Sequence, residues 1–128
     1  MHLCSIWLTF RYISENSSSG SGYSDVYFVQ NVTGTGYTTV NCGFRPKKIL
    51  IGRSGAGSSY PLSCWYDEST STSTCYYWLA SNSDNEQHSV AINSSSIYIS
   101  SISDTGFTLG SALTAAITDR KLTILAVG

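Results

Sequence analysis

Five large aromatic residues sit on two neighbouring runs of this 128-residue chain. Trp65 and Tyr66 lie on the first and Tyr76, Tyr77 and Trp78 on the second, with Asp67 and Glu68 directly after the first pair. Sugars carry an apolar ring face and a polar rim, so aromatic plates beside carboxylates suit carbohydrate recognition. Trp65, Tyr66, Asp67, Tyr77 and Trp78 are therefore the candidate ligand-binding residues. A competing reading puts alternate members, such as Trp65 and Tyr77, in the core while their neighbours pack against another subunit. Five such rings exceed what one face of a hairpin needs, so some should be exposed or lie in an interface.

A second group is Ser83-Asp84-Asn85-Glu86-Gln87-His88. In an extended strand Asp84, Glu86 and His88 share one face and offer ligands to a divalent cation. Isolated acids in Ser- and Asn-rich stretches more often belong to a solvated loop, so the metal is the weaker reading, and no cofactor is expected.

The other chemical motifs fail on inspection. Gly52-Arg53-Ser54-Gly55-Ala56-Gly57-Ser58-Ser59 nearly spells a phosphate-binding loop. Such a loop needs a Lys where Ser58 stands, to reach the terminal phosphates, and a helix to follow. The chain instead continues Tyr60-Pro61-Leu62-Ser63-Cys64-Trp65, which is strand-like. Only His2 and His88 could serve a serine nucleophile, and no G-x-S-x-G elbow is present. The acid pairs are Asp67/Glu68 and Asp84/Glu86, and adjacent strand residues point to opposite faces, so the first pair cannot flank one glycosidic bond. No catalytic residue is assigned, and the protein is expected not to be an enzyme.

The elements that must position these residues are strands. Charged residues make up 12 % of the chain, about half the usual share of roughly 25 %. Ser, Thr, Asn and Gly supply the polar balance, which suits turns and solvent-facing strand positions and leaves long helices without their usual residues. Strands are expected at Cys4–Ile13, Asp25–Val32, Tyr37–Cys42, Lys47–Gly52, Leu62–Asp67, Cys75–Leu79, His88–Ile92, Ser96–Ser101, Phe107–Leu109 and Lys121–Val127. Turn signals at this spacing imply an all-β antiparallel sandwich or barrel in one domain. Ser111–Asp119 allows at most a short turn of helix. Residues 1–22 read as an N-terminal strand and a Ser/Gly linker, a candidate attachment arm, and 23–128 as the β domain proper. Ile49-Leu50-Ile51 and Leu122–Val127 are apolar on both faces of the pleat, as in strands covered on both sides or buried between subunits.

Net charge is −1, and Arg45, Lys47 and Lys48 form the sole basic cluster, too few for a phosphate backbone, so nucleic acid is not an expected partner. Leu3–Phe10 is too short to span a bilayer and lacks the flanks of a signal peptide. The four cysteines, Cys4, Cys42, Cys64 and Cys75, form no C-x-x-C pair. They read as reduced thiols behaving as small hydrophobes, although Cys64 and Cys75 flank a hairpin and would be cross-strand neighbours.

One ordered pattern runs through most of this: Gly43-Phe44-Arg45-Pro46, a β run, a Ser-rich middle, Asp104-Thr105-Gly106-Phe107-Thr108-Leu109-Gly110, and a terminal β run. From about residue 37 to 128 the pattern resembles the small β-sandwich modules of bacteriophage tail-fibre and related virion proteins. The resemblance implies a jelly-roll-like sandwich assembled as a trimer, located in the virion, contacting other virion proteins and attaching to a host-surface glycan by binding alone. A head-decoration, head-fibre or connector protein with a purely structural role is the alternative. A lectin-like carbohydrate-binding domain outside any phage is a further one. Residues 1–36 match no motif of the family.

Overall fold

The computed structural model describes residues 25–36, 38–55, 62–79, 86–114 and 120–128. The expected strand at Cys4–Ile13 and the linker at 16–22 lie outside the described residues, as do residues 56–59 of the glycine-rich stretch, Asp84 and its neighbours at 83 and 85, and the end of the 111–119 segment.

The described residues are mostly antiparallel β-structure, in line with the composition. The strands are β1 (Val26–Val32), β2 (Thr39–Asn41), β3 (Lys48–Gly55), β4 (Leu62–Asp67), β5 (Thr74–Leu79), β6 (Gln87–Ala91), β7 (Ile99–Ser103), β8 (Gly106–Leu109) and β9 (Arg120–Val127). A 3₁₀ turn (Gly34–Gly36) follows β1, and a single helical turn, α1 (Ser111–Thr114), precedes β9. Expected and observed strands differ mainly at β3, which runs on to Gly55, and at β7, expected at Ser96–Ser101 and observed at Ile99–Ser103. There Ser96–Tyr98 is spent on a turn: Ser96 N donates to Asn93 O, and the Ser96 hydroxyl accepts from Tyr98 N at 3.3 Å.

Six strands form one sheet in the order β1-β9-β3-β4-β5-β6, and three form another in the order β2-β8-β7. The central pair is β3 and β9, in register from Lys48↔Val127 to Gly55↔Arg120. These are the two runs that are apolar on both faces. Their inward set, Ile49, Ile51, Leu122, Ile124 and Ala126, is almost completely buried. It shares one core with Leu62, Cys64, Tyr66 and Cys75 of the large sheet and with Val40, Ile99, Phe107 and Leu109 of the small one. Burying such side chains stabilises the chain by about 1.5–3 kcal/mol each. Their outward neighbours, Leu50 and Leu125, face away from this core.

The two motifs that define the sequence pattern meet, although 59 residues separate Arg45 from Asp104. Gly43 has φ +83°, a conformation that suits a residue without a Cβ. Its N–H donates to Thr105 O at 3.0 Å, beside Cys42 N at 2.8 Å, and also to Asn41 Oδ1 at 3.1 Å. Arg45 and Asp104 form a surface ion pair at 3.4 Å. Gly106 pairs with Asn41 in register, and a Cβ there would run into the carbonyl of Val40. Pro46 is fully buried just ahead of β3, a strand start where its missing donor is not needed. The first four residues of the glycine-rich stretch are strand. Gly52 to Gly55 belong to β3, which pairs antiparallel with β4 from Lys48↔Asp67 to Arg53↔Leu62, the geometry of a hairpin.

Candidate functional site: the outer face of the large sheet

Strand β4 alternates strictly: Leu62, Cys64 and Tyr66 are buried, while Ser63, Trp65 and Asp67 are partly exposed on the face away from the core. Strand β5 is registered so that Trp65 lies opposite Tyr76 and Ser63 opposite Trp78, placing Thr74, Tyr76 and Trp78 on that same outer face. The register continues across the sheet. Phe28 pairs with Leu125, Leu125 with Leu50, Leu50 with Trp65, and Trp65 with Tyr76. Five strands therefore contribute one large apolar residue each to a single cross-strand row. Leu50 and Trp78 remain 43 % exposed, so solvent reaches this face. Gly52 lies on the next row, where a Cβ would meet no atom within 4 Å.

The candidate residues divide between the two faces. Trp65, Asp67 and Trp78 come together on the outer one. Tyr66, also expected to bind ligand, is 1 % exposed and belongs to the core, where burial pushes its phenol up. Tyr77 points inward too, with its ring stacked on Tyr98 at 4.2 Å and on His88 at 5.1 Å. The competing assignment of Trp65 to the core fails for the same reason of parity. Tyr76 is the residue to add: its ring stacks on Trp65 at 5.9 Å. The sequence signal was present, since Ser63 and Asp67 share the parity of Trp65, and Thr74 shares that of Tyr76 and Trp78.

A depression of about 450 Å³ opens on this face, lined by Lys48, Leu50, Trp65, Asp67, Leu125 and Val127. That volume falls within the range of small-molecule sites. Its polar groups gather at one rim, where Lys48 Nζ stands 3.8 Å from Asp67 Oδ2. Asp67 Oδ1 is already engaged, accepting from the Ser69 hydroxyl at 2.7 Å and from Ser69 N at 3.0 Å. These hydrogen bonds, the hydroxyl's first, and the Lys48 ammonium hold the Asp67 carboxyl below the usual carboxylate range. The carboxylate is thus charged and fixed in orientation at neutral pH, with Oδ2 turned to the ammonium.

Of the other metal candidates, Glu86 is exposed ahead of β6, and His88 is the inward residue stacked on Tyr77. Among the described residues no three His, Cys, Asp or Glu side chains form a cluster able to hold a metal ion. Cys42, Cys64 and Cys75 are thiols, the last two fully buried. The hydrogen bond to Cys75, together with burial, holds the Cys64 proton far above the normal thiol range. Among the described residues no helix is long and apolar enough to cross a membrane. No protein-family model, curated protein or solved structure matches the chain.

Proposed function

We propose that this chain is a β-sandwich module of a bacteriophage virion projection, of tail-fibre or spike type, that attaches to a host-surface glycan by binding without chemistry. The observation that carries the reading is the outer row, in which Leu50, Trp65 and Tyr76 adjoin one another in register, with Trp78 on the next row and the Lys48–Asp67 pair at the rim. Flat aromatic surface beside charged and hydroxyl groups matches the two sides of a pyranose. The interlocked GFxP and DxGF motifs add the family resemblance to that chemistry. In a trimer, three such faces act together, and weak contacts become firm attachment through avidity.

A second reading, a head-decoration, head-fibre or connector subunit without a receptor, draws on the other end of the row. Phe28 extends the row past the depression with a purely hydrocarbon side chain, which suits a protein neighbour better than a sugar.

The test is attachment of the purified chain to host cells and to a glycan array, for the wild type and for Trp65→Ala and Trp78→Ala. Loss of attachment with unchanged thermal stability supports the glycan reading. Unchanged attachment sinks it. Light scattering after gel filtration decides the assembly: a stable trimer is expected, and a clean monomer that binds glycans points to a lectin-like domain outside any virion.

A further inference from the structure

Resting on the carbohydrate reading, we infer that the depression lined by Lys48, Leu50, Trp65, Asp67, Leu125 and Val127 is the primary sugar subsite, and that it selects a neutral 6-deoxyhexopyranose held through two adjacent hydroxyls. Three features of the site lead there.

The first is the loose rim pair. At 3.8 Å, Lys48 Nζ and Asp67 Oδ2 are farther apart than a tight charge-assisted hydrogen bond. Hydroxyls on adjacent ring carbons lie about one hydrogen-bond length apart, so they fit such a gap. One hydroxyl donates to Oδ2 and its neighbour accepts from Nζ. Because Oδ1 is occupied by Ser69, the carboxylate cannot swing away to avoid this arrangement. Among the described residues the rim offers a donor centre, Lys48 Nζ, and an acceptor centre of opposite charge, Asp67 Oδ2. A neutral diol satisfies both, whereas an acidic sugar would set its carboxylate beside Asp67.

The second feature is the asymmetry of the lining. Among the described residues, Leu50 and Leu125 form the row next to the rim and Val127 flanks Lys48 on the rim's own row, and none of the three side chains is polar. A hydroxymethyl group laid there would lose water without gaining a partner, while a methyl group gains from the same burial. The third is Trp65, whose stacking on Tyr76 fixes its ring before any ligand arrives. A plate fixed in advance spends less conformational entropy on binding the C–H face of a sugar.

The experiment is an NMR titration of the isotope-labelled full chain with two matched pairs of monosaccharides, L-fucose against L-galactose and L-rhamnose against L-mannose. Within each pair the members differ only by the hydroxyl on carbon 6. The deoxy member of at least one pair is expected to bind about fourfold more tightly, the worth of one buried methyl-sized group. The shifts should centre on Lys48, the Trp65 indole, Asp67 and Leu125. Asp67→Asn keeps an oxygen for Ser69 N and is expected to weaken binding about tenfold, as loss of a charged hydrogen-bond partner does. Equal affinity within both pairs, or preference for the hydroxylated members, overturns the subsite and leaves the carbohydrate reading standing. So does a response confined to Tyr76, Trp78 and Gln87. If glycans that bind on the array leave the pocket unmoved, the subsite is likewise wrong. If no sugar binds in either assay, both readings fall together.

Discussion

Truncating Leu50 and its sequence neighbour Ile51 to alanine should give very different losses of stability, although each change removes the same three carbons. Ile51 is fully buried between β4 and β9, so its loss combines the transfer of three methyl-sized groups, about 2.4 kcal/mol, with the cavity left behind. The expected cost is about 3–4 kcal/mol. Leu50 is 43 % exposed, and the space it leaves opens to solvent, so only the covered part of its transfer energy is lost, about 1.4 kcal/mol. Urea denaturation of the two variants against wild type, at low protein concentration and with a common m-value, measures the difference directly. Equal losses would refute the placement of these residues on opposite faces. A large Leu50 loss that grows with protein concentration would instead place a second copy over the outer face.

Three further outcomes are expected. Gly106→Ala should fold poorly or lose several degrees of melting temperature, because its methyl meets the Val40 carbonyl, while Gly52→Ala meets nothing and should melt at or slightly above wild type. Alkylation of the folded protein at pH 8, read by mass spectrometry, should leave Cys64 and Cys75 unmodified and label Cys42 slowly, since burial pushes that thiol up to about 11; unfolding in guanidinium should expose all three. Asp67 has a depressed folded-state pKa, so the stability it contributes is complete above the carboxylate's unfolded value near 4 and is lost as pH falls through the folded one. Removing its charge with Asp67→Asn should therefore lower neutral stability slightly, by that contribution, and flatten the acid side of the curve, so that variant and wild type converge as pH falls below about 4.

Strand positions were legible in the sequence because Gly, Ser and Asn break the chain at nearly every turn. The GFxP and DxGF segments were legible as strand edges. Their mutual contact through Thr105 O was not, since nothing local pairs residues some sixty positions apart. The face of each aromatic was missed for a different reason. Counting large rings along Trp65-Tyr66 and Tyr76-Tyr77-Trp78 gives no parity. The small neighbours do: Cys64 and Cys75 mark the inside, Ser63 and Thr74 the outside. The inter-strand register, which sets Trp65 against Tyr76 and builds the row out to Phe28, depends on the lengths of the turns and on tertiary packing.

The placement of β9 between β1 and β3 has a consequence for biosynthesis. On the ribosome, β3 is complete at residue 55, yet the strand that separates it from β1 is not finished until residue 127. At about 5–20 residues per second, that is a wait of roughly 4–14 s. Throughout it, β1 and one side of β3 carry unpaired backbone edges that invite pairing with other nascent chains. The bulge between Val29 and Val32, where Asn31 takes φ 58°, roughens the edge of β1 and makes it a poorer template during that interval. A chain cut short before β9 would stay in that state, and inclusion bodies rather than a smaller soluble domain should be its product.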